Sequence, residues 1–144
     1  MNVTGRLISN EQNINLYVIV FSFRMRMSEQ YKNAILAPMV RIGTLPFRLL
    51  CIEEGAALVY SEEIIDHRLM NCQQFNRDKL VEWRLTADDN PVFQTSKKES
   101  DKVILQLGTS DPERAVKAAK LVEDHVAGID VNMGFYFLYT ITTV

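Results

Sequence analysis

Apolar runs and amphipathic stretches alternate along the chain from Asn33 to Gly134. Four of the apolar runs have the length of a buried strand. They lie at 34–39, 57–63, 102–108 and 128–132. Strands that alternate with helical stretches indicate βαβ units, so this pattern predicts an α/β fold with a parallel sheet.

Two of the intervals between these runs have the periodicity of a helix. Over 43–55, Thr44 is placed to cap the helix and Gly55 to end it. Over 110–124, the S-x-x-E start at Ser110 fits a capping box, and the following alanines form one apolar stripe. The second of these is the clearest helix signal in the chain.

The segment 64–100 is the least regular part of the sequence. Within it, "DKLVEWRLT" and "PVFQT" flank the turn-rich "ADDN" at 87–90, which predicts a β-hairpin excursion between the second and third core strands. Trp83 in this segment is interpreted as a packing residue rather than a platform for a nucleic-acid base.

Two parallel-sheet architectures fit this element order, an open doubly wound sheet and a (β/α)8 barrel. A G-x-G-x-x-G motif after the first strand would favour the dinucleotide-binding type of doubly wound sheet. The sequence contains no such motif at that place. The barrel therefore becomes the stronger of the two predictions.

Composition excludes few functions, but it limits the size of the fold and the classes of partner. The chain has 144 residues and a formal net charge of -2, so it is one domain or part of one, and its total charge gives no sign of nucleic-acid binding. Cys51 and Cys72 belong to no C-x-x-C pair, which predicts no disulfide framework and a reducing, cytoplasmic location. His67 and Cys72 have no second pair nearby, so no metal site is predicted.

The N-terminal apolar run at 16–23 is too short to span a bilayer. It has the length of a signal-peptide core, but Glu11 precedes it and "RMRM" follows it in place of small cleavage-site residues. We interpret it as a buried strand or an extension. A membrane-associated fragment that uses 16–23 or 135–144 is the weakest alternative, and no membrane partner is predicted.

Polar side chains recur at the carboxyl ends of the predicted strands. They are Arg41 after the first strand, Glu62 and Glu63 after the second, Gln106 in the third, and Asp130 and Asn132 in the fourth. An unpaired polar group in a parallel sheet costs roughly 1–3 kcal/mol. Their recurrence at one end of the sheet predicts a face that meets a ligand, as in barrel enzymes.

Structural roles for the same side chains stay open at this point. Gln106 is equally suited to pairing with a neighbouring group inside the sheet. Glu62 or Glu63 fits the acidic first turn of a helix. Arg41 and Arg48 suit either a phosphate contact or a salt bridge at the surface.

Four segments of the chain, taken in order, resemble the dihydrouridine synthases that act on tRNA. These segments are "ILAPMVRIGTLPFRLL", "VYSEEIID", "VILQLGTSDPERAVKAAKLV" and "GIDVNMG", and they look most like the eukaryotic branch that reduces a uridine in the tRNA D-loop. The resemblance implies a flavin-bearing (β/α)8 barrel followed by a helical domain that holds tRNA.

The resemblance also implies a chemistry and a set of site residues. The chemistry is hydride transfer from reduced FMN to the uracil ring, with NADPH as the reductant and a cysteine after the fourth strand as general acid. Asn132 would lie near the target base. The residues that would contact the flavin are Met39, Val40, Arg41, Glu63 and Gln106.

The sequence departs from the family at the expected general acid. Where the family continues "VNMG" into Cys-Pro, this chain has Phe135, and phenylalanine has no proton to transfer. We therefore predict no catalytic residue at this position. The resemblance predicts three parts: an N-terminal extension, poorly ordered, at 1–32, a partial barrel at 33–134, and a divergent apolar tail at 135–144.

A complete barrel takes about 250 residues, whereas the strand pattern here reaches only the fourth strand. These observations predict the N-terminal half of a barrel, present as a truncated and inactive fragment with weak or no flavin binding. The fragment would be an alternative product or an incomplete gene, with its start at Met1 or Met27. The alternative is a non-enzymatic half-barrel that self-associates, or pairs with a full-length partner, through its unpaired strand edges.

Overall fold

A computed structural model of the chain describes residues 34–134. Its strands are β1 (Ile35–Leu36), β2 (Leu58–Ile65), β3 (Gln73–Arg77), β4 (Leu80–Arg84), β5 (Phe93–Ser96), β6 (Val103–Gly108) and β7 (Gly128–Asn132). Its helices are α1 (Leu45–Glu53), α2 (Asp66–Met70) and α3 (Pro112–Lys120), with a 3-10 turn at Glu123–His125. Within this part of the chain, no helix has the length and apolar character needed to cross a bilayer. The predictions made for 1–32 and 135–144 lie outside the described residues.

Four strands form a parallel sheet in the order β1-β2-β6-β7. Along the chain, each further parallel strand pairs with the free edge of the strand before it, so the sheet grows in one direction, as in the wall of a barrel. A doubly wound sheet instead reverses direction at a switch point. The α/β fold with a parallel sheet is therefore confirmed, and the described residues form an open sheet rather than a closed barrel.

The core lies between one face of the sheet and the helices. Alternate residues of β6 are fully buried on this face, and the apolar stripe of α3 packs against them. The stripe predicted from the sequence is confirmed. It consists of Ala115, Ala118, Ala119 and Val122.

The segment between β2 and β6 is more regular than the sequence predicted. β3, β4 and β5 form a three-stranded antiparallel sheet, so the expected hairpin has an additional strand. The rings of Trp83 and Phe93 pack with their centroids 5.3 Å apart, and both side chains are buried in the main core. Trp83 is thus a packing residue, as predicted.

Two strand boundaries differ from the prediction. β1 has two residues rather than the six of 34–39, because Pro38 has no N–H to donate and restricts the residue before it. β2 extends to Ile65, so Glu62 and Glu63 lie inside the strand. The interpretation of these two acids as helix N-terminal residues was therefore wrong, since α2 begins at Asp66.

The N-cap of α3 is Asp111 rather than Ser110. The Asp111 carboxylate accepts hydrogen bonds from the backbone N–H groups of Glu113 and Arg114, at 2.9 and 3.0 Å. The bond from Arg114 is the main reason that the pKa of Asp111 lies below its ordinary value. Gly55 follows α1 with φ of +99°, which confirms its predicted role at the end of that helix.

Arg48 forms a buried ion pair that joins three parts of the fold. Its Nε and Nη2 lie 2.9 and 2.6 Å from the two carboxylate oxygens of Glu99. Thr95 donates to the same carboxylate, and Arg48 also donates to the carbonyl oxygens of Gly43 and Gln94. The side chains of Arg48 and Glu99 are 2% and 0% exposed, so both interpretations of Arg48, phosphate contact and surface salt bridge, were wrong.

The buried pair should dominate the response of the fold to loss of a charge. We expect Arg48→Met to lower the free energy of unfolding by about 3–5 kcal/mol, because it leaves the Glu99 carboxylate buried without its partner. The double variant Arg48→Met/Glu99→Leu should recover part of that loss. Urea unfolding of the full chain, followed by the fluorescence of its one tryptophan, measures these differences.

The matched control is Arg77→Met, which removes a half-exposed guanidinium 3.6 Å from the carboxylate of Glu82. Only the Arg77 end of this pair is exposed, but Glu82 keeps a second partner, since Nε of Arg84 lies 2.9 Å from its carboxylate, so we expect a loss of about 0–1 kcal/mol. A loss in Arg48→Met no larger than the loss in Arg77→Met would contradict the structural role assigned to the buried pair.

Candidate functional site

An irregularity in β2 sets the geometry of the candidate site. Tyr60 is paired with Ile104, and the next pair is Glu63 with Gln106, so β2 uses three steps where β6 uses two. This is a β-bulge, which leaves one backbone group without its ladder partner. The Ser61 hydroxyl replaces that partner, since it accepts the backbone N–H of Gln106 at 3.0 Å.

Glu62, the second residue of the bulge, holds the loop that follows β1. Its Oε2 accepts the backbone N–H of Arg41 at 2.8 Å. Arg41 has φ of +64°, and the N–H groups of Ile42 and Gly43 both bond to the carbonyl oxygen of Met39. The predicted flavin-lining loop is therefore a tight turn fastened to β2.

Gly43 allows this loop to lie directly against the bulge. A Cβ at this position would be 2.6 Å from the backbone nitrogen of Glu62 and 2.8 Å from the carbonyl carbon of Ser61. Both atoms belong to the main chain and cannot turn aside. Only glycine fits where the loop crosses β2.

Glu63, Gln106 and Asp130 form a polar row across three neighbouring strands. They are register partners on β2, β6 and β7, so their side chains leave the same face of the sheet. The residues that follow them, Ile64 and Leu107 among them, face the apolar core on the other side. All three polar side chains are half-buried.

Two close contacts organise this row. The Gln106 amide nitrogen donates to a carboxylate oxygen of Asp130 at 2.8 Å. The Glu63 carboxylate lies over Gly108, where a Cβ would be 2.5 Å from its Oε1. Gln106 therefore pairs with a charged side chain of the next strand, whereas Glu63 occupies space that the glycine leaves open.

The remaining predicted site residues lie at the same end of the sheet. Asn132 is two residues beyond Asp130, on the same face of β7, and its Oδ1 accepts the backbone N–H of Gly134 at 3.0 Å. Met39 is half-buried, while Val40 and Arg41 are exposed. The sheet thus brings Glu63 and Gln106 together, and the role of all these residues in binding a ligand stays a prediction. Phe135 lies outside the described residues.

Asp130, one of the polar residues noted at the strand ends, received no predicted ligand contact, and Tyr60 was not predicted; these two side chains complete this face. Tyr60 is 3% exposed, and within residues 34–134 its hydroxyl has no hydrogen-bond partner. Burial raises the pKa of Tyr60, and the charge of Asp130 raises it further, so the two groups interact. In the sequence, the signal for Asp130 was that it is a single acid inside the apolar run "GIDVN".

A second polar cluster, behind the same strand ends, has a structural role. The buried carboxylate of Asp66 accepts hydrogen bonds from the Thr109 hydroxyl at 2.7 Å and from Nε of Arg114 at 2.8 Å. These contacts join the ends of β2 and β6 to α3. Among residues 34–134, no group of three or more His, Cys, Asp and Glu side chains is arranged to hold a metal ion.

Comparison with known proteins identifies the family. The sequence model described as dihydrouridine synthase (Dus) matches residues 35–135, and the chain belongs to this family, whose fold is a TIM barrel. The chain is 43% identical over 110 residues to the tRNA-dihydrouridine(20) synthase of Schizosaccharomyces pombe, which covers 72% of this chain and 23% of the relative.

Two further relatives agree with this assignment. The chain is 43% identical over 108 residues to the tRNA-dihydrouridine(20) synthase of Saccharomyces cerevisiae, which covers 69% of this chain and 28% of that protein. It is 35% identical over 113 residues to tRNA-dihydrouridine synthase B of Escherichia coli, with 76% and 31% covered. The chain spans about a quarter of the length of the two fungal relatives.

The two glycines of the site should respond differently to an added methyl group. We expect Gly43→Ala to lower the free energy of unfolding by about 1–3 kcal/mol, because the new Cβ meets main-chain atoms. Gly108→Ala should cost less, because the Cβ meets the movable end of the Glu63 side chain. Urea unfolding midpoints of the two full-length variants test this order, and a larger loss in Gly108→Ala would contradict it.

Proposed function

We propose that residues 33–134 form the N-terminal half of a flavin-dependent (β/α)8 barrel, with the antiparallel excursion inserted between its second and third strands. We further propose that the whole protein reduces uridine to 5,6-dihydrouridine in the D-loop of tRNA. The observation that carries this proposal is the polar row Glu63–Gln106–Asp130, at a half-buried face of a parallel sheet in a chain of this family. The names of the relatives, which include tRNA, dihydrouridine and NAD(P)+, support it.

The chemistry of the described residues fits the ring system of FMN. An isoalloxazine is a flat apolar ring with hydrogen-bonding groups along one rim. Gln106 supplies an amide that both donates and accepts, and the fastened loop supplies Met39 and Val40 as apolar surface. Glu63 lies beside Gln106 on the same face. These residues would hold the ring, with Arg41 at the edge of the loop.

FMN in its reduced form would supply the hydride for the uracil ring, and NADPH would restore it. The residues of this chain would bind and orient: Gln106 at the flavin rim and Asn132 near the target base. The family places its general acid at the position of Phe135, and phenylalanine cannot serve as a proton donor. Inactivity of this chain by itself is therefore part of the proposal.

Other features of the chain are proposed on the same basis. Cys51 and Cys72 are free thiols, which suits a reducing compartment, and we place the protein in the cytoplasm. Within the described residues, β1 and β7 each pair on one side only. Self-association through these edges, or pairing with a full-length partner, stays a prediction and is the alternative to an enzymatic role.

Titration of the full chain with FMN, followed by flavin fluorescence, tests the proposed site. We expect weak but saturable binding. Gln106→Ala should weaken it about two- to tenfold, the effect of losing one neutral hydrogen bond. The matched control is Asp101→Asn, in the exposed turn before β6, which should leave the affinity unchanged.

Two results of this titration would contradict the proposal. One is an absence of saturable FMN binding, and the other is an equal affinity in Gln106→Ala and the control. An assay for dihydrouridine in tRNA, run on the same samples, should detect no product from this chain. Product formation would contradict the proposed inactivity while supporting the proposed reaction.

A further inference from the structure

The hydrogen bond between Gln106 and Asp130 limits how the glutamine can meet a ligand. An ionised carboxylate has only acceptors, so the atom of Gln106 that faces Asp130 must be the amide nitrogen. The distance of 2.8 Å is that of a hydrogen bond, and a bond to an ionised carboxylate is about twice as strong as a bond between neutral groups. The opposite orientation would bring the amide oxygen against the carboxylate and is disfavoured by repulsion between the two.

The remaining groups of the Gln106 amide are then defined. Within residues 34–134, its Oε1 makes no hydrogen bond, and one N–H is left beyond the bond to Asp130. The side chain is half-buried on the face that carries Glu63 and Asp130, so these two groups are open to that side of the sheet. Together they are one acceptor and one donor of the same amide group.

We infer that Asp130 is a positioning residue that holds the Gln106 amide in a single orientation, so that Gln106 recognises an imide edge. An imide places an N–H beside a C=O, which complements the free oxygen and N–H of the fixed amide. The pyrimidine-like rim of a flavin carries this edge. The inference rests on the proposed flavin site, and it adds the residue and the hydrogen-bond pattern that set the site's preference.

The surroundings of Asp130 favour a role in orienting Gln106 over a purely structural pairing of the two side chains. A carboxylate inside an apolar strand is costly, and one amide bond satisfies only part of its capacity. The Tyr60 hydroxyl is buried without a partner in the described part of the chain, and its pKa is raised partly by the charge of Asp130. The Asp130 carboxylate bonds to Gln106 and not to that hydroxyl.

Asp130→Asn is the variant that separates the two roles. It keeps the shape of the side chain, but its amide can pair with either end of Gln106, so the fixed orientation is lost. In the 15N NMR spectrum of the full chain, the wild type should show one slowly exchanging side-chain N–H of Gln106. Asp130→Asn should lose this protection, and the control Asp101→Asn should retain it. Equal protection in Asp130→Asn would overturn the positioning role.

Ligand preference gives the second readout. The probes are FMN and 3-methyl-FMN, in which a methyl group replaces the hydrogen of the imide N–H while both ring carbonyl groups are kept. The wild type and Asp101→Asn should bind FMN about two- to tenfold more tightly than the analogue, as expected for one hydrogen bond. In Asp130→Asn the ratio should fall towards one. Gln106→Met, a second variant that leaves Asp130 in place, should have the same effect.

The outcomes separate this inference from the proposed function. Binding of FMN with an unchanged preference in Asp130→Asn would support the flavin site and overturn the inference. If the wild type binds neither flavin, the proposed function and the imide assignment both fail. In that case the protection of the Gln106 side-chain N–H alone decides whether Asp130 orients the amide.

Discussion

The extra residue in β2 is the constraint on which the candidate site depends. If the ladder ran without the bulge after Tyr60, the partner of Gln106 would be Glu62, and Glu63 would point into the core, because a one-residue slip turns every side chain to the other face. The bulge lets one acid fasten the loop after β1 while the next stays in the polar row. Two adjacent glutamates therefore have two different roles.

The polar groups of this fold fall into two classes. The pair of Arg48 with Glu99, and the cluster around Asp66, are buried networks that join helices to strands. The row on the other face keeps atoms available, since Gln106 has an unused amide oxygen within the described residues. Polar groups without a hydrogen-bond partner are found most often at functional sites. The polar row is therefore the candidate site, and the two buried networks are not.

Hydrophobic periodicity was sufficient to predict the four parallel strands and both long helices, because each buries one regular face. It missed β3, whose residues Gln73–Arg77 are mostly exposed and carry no apolar alternation. The partner of Arg48 could not be predicted, since it lies 51 residues away along the chain. Glu63 and Gln106 were predicted to lie at one end of the sheet and are register partners there, but the bulge that aligns them has no signature in "VYSEEIID". Asp130 was noted at the end of its strand but was assigned no contact with a ligand, because its role depends on the bond to Gln106 in the neighbouring strand.

Backbone amide hydrogen exchange in the full chain tests the bulge most directly. The account predicts slow exchange at the N–H groups of Arg41 and Gln106, since each bonds to a side chain of the bulge. Glu62→Ala should speed exchange at Arg41 alone, and Ser61→Ala should speed it at Gln106 alone. Fast exchange at both amides in the wild type would contradict the account, and so would variants that leave both amides equally protected.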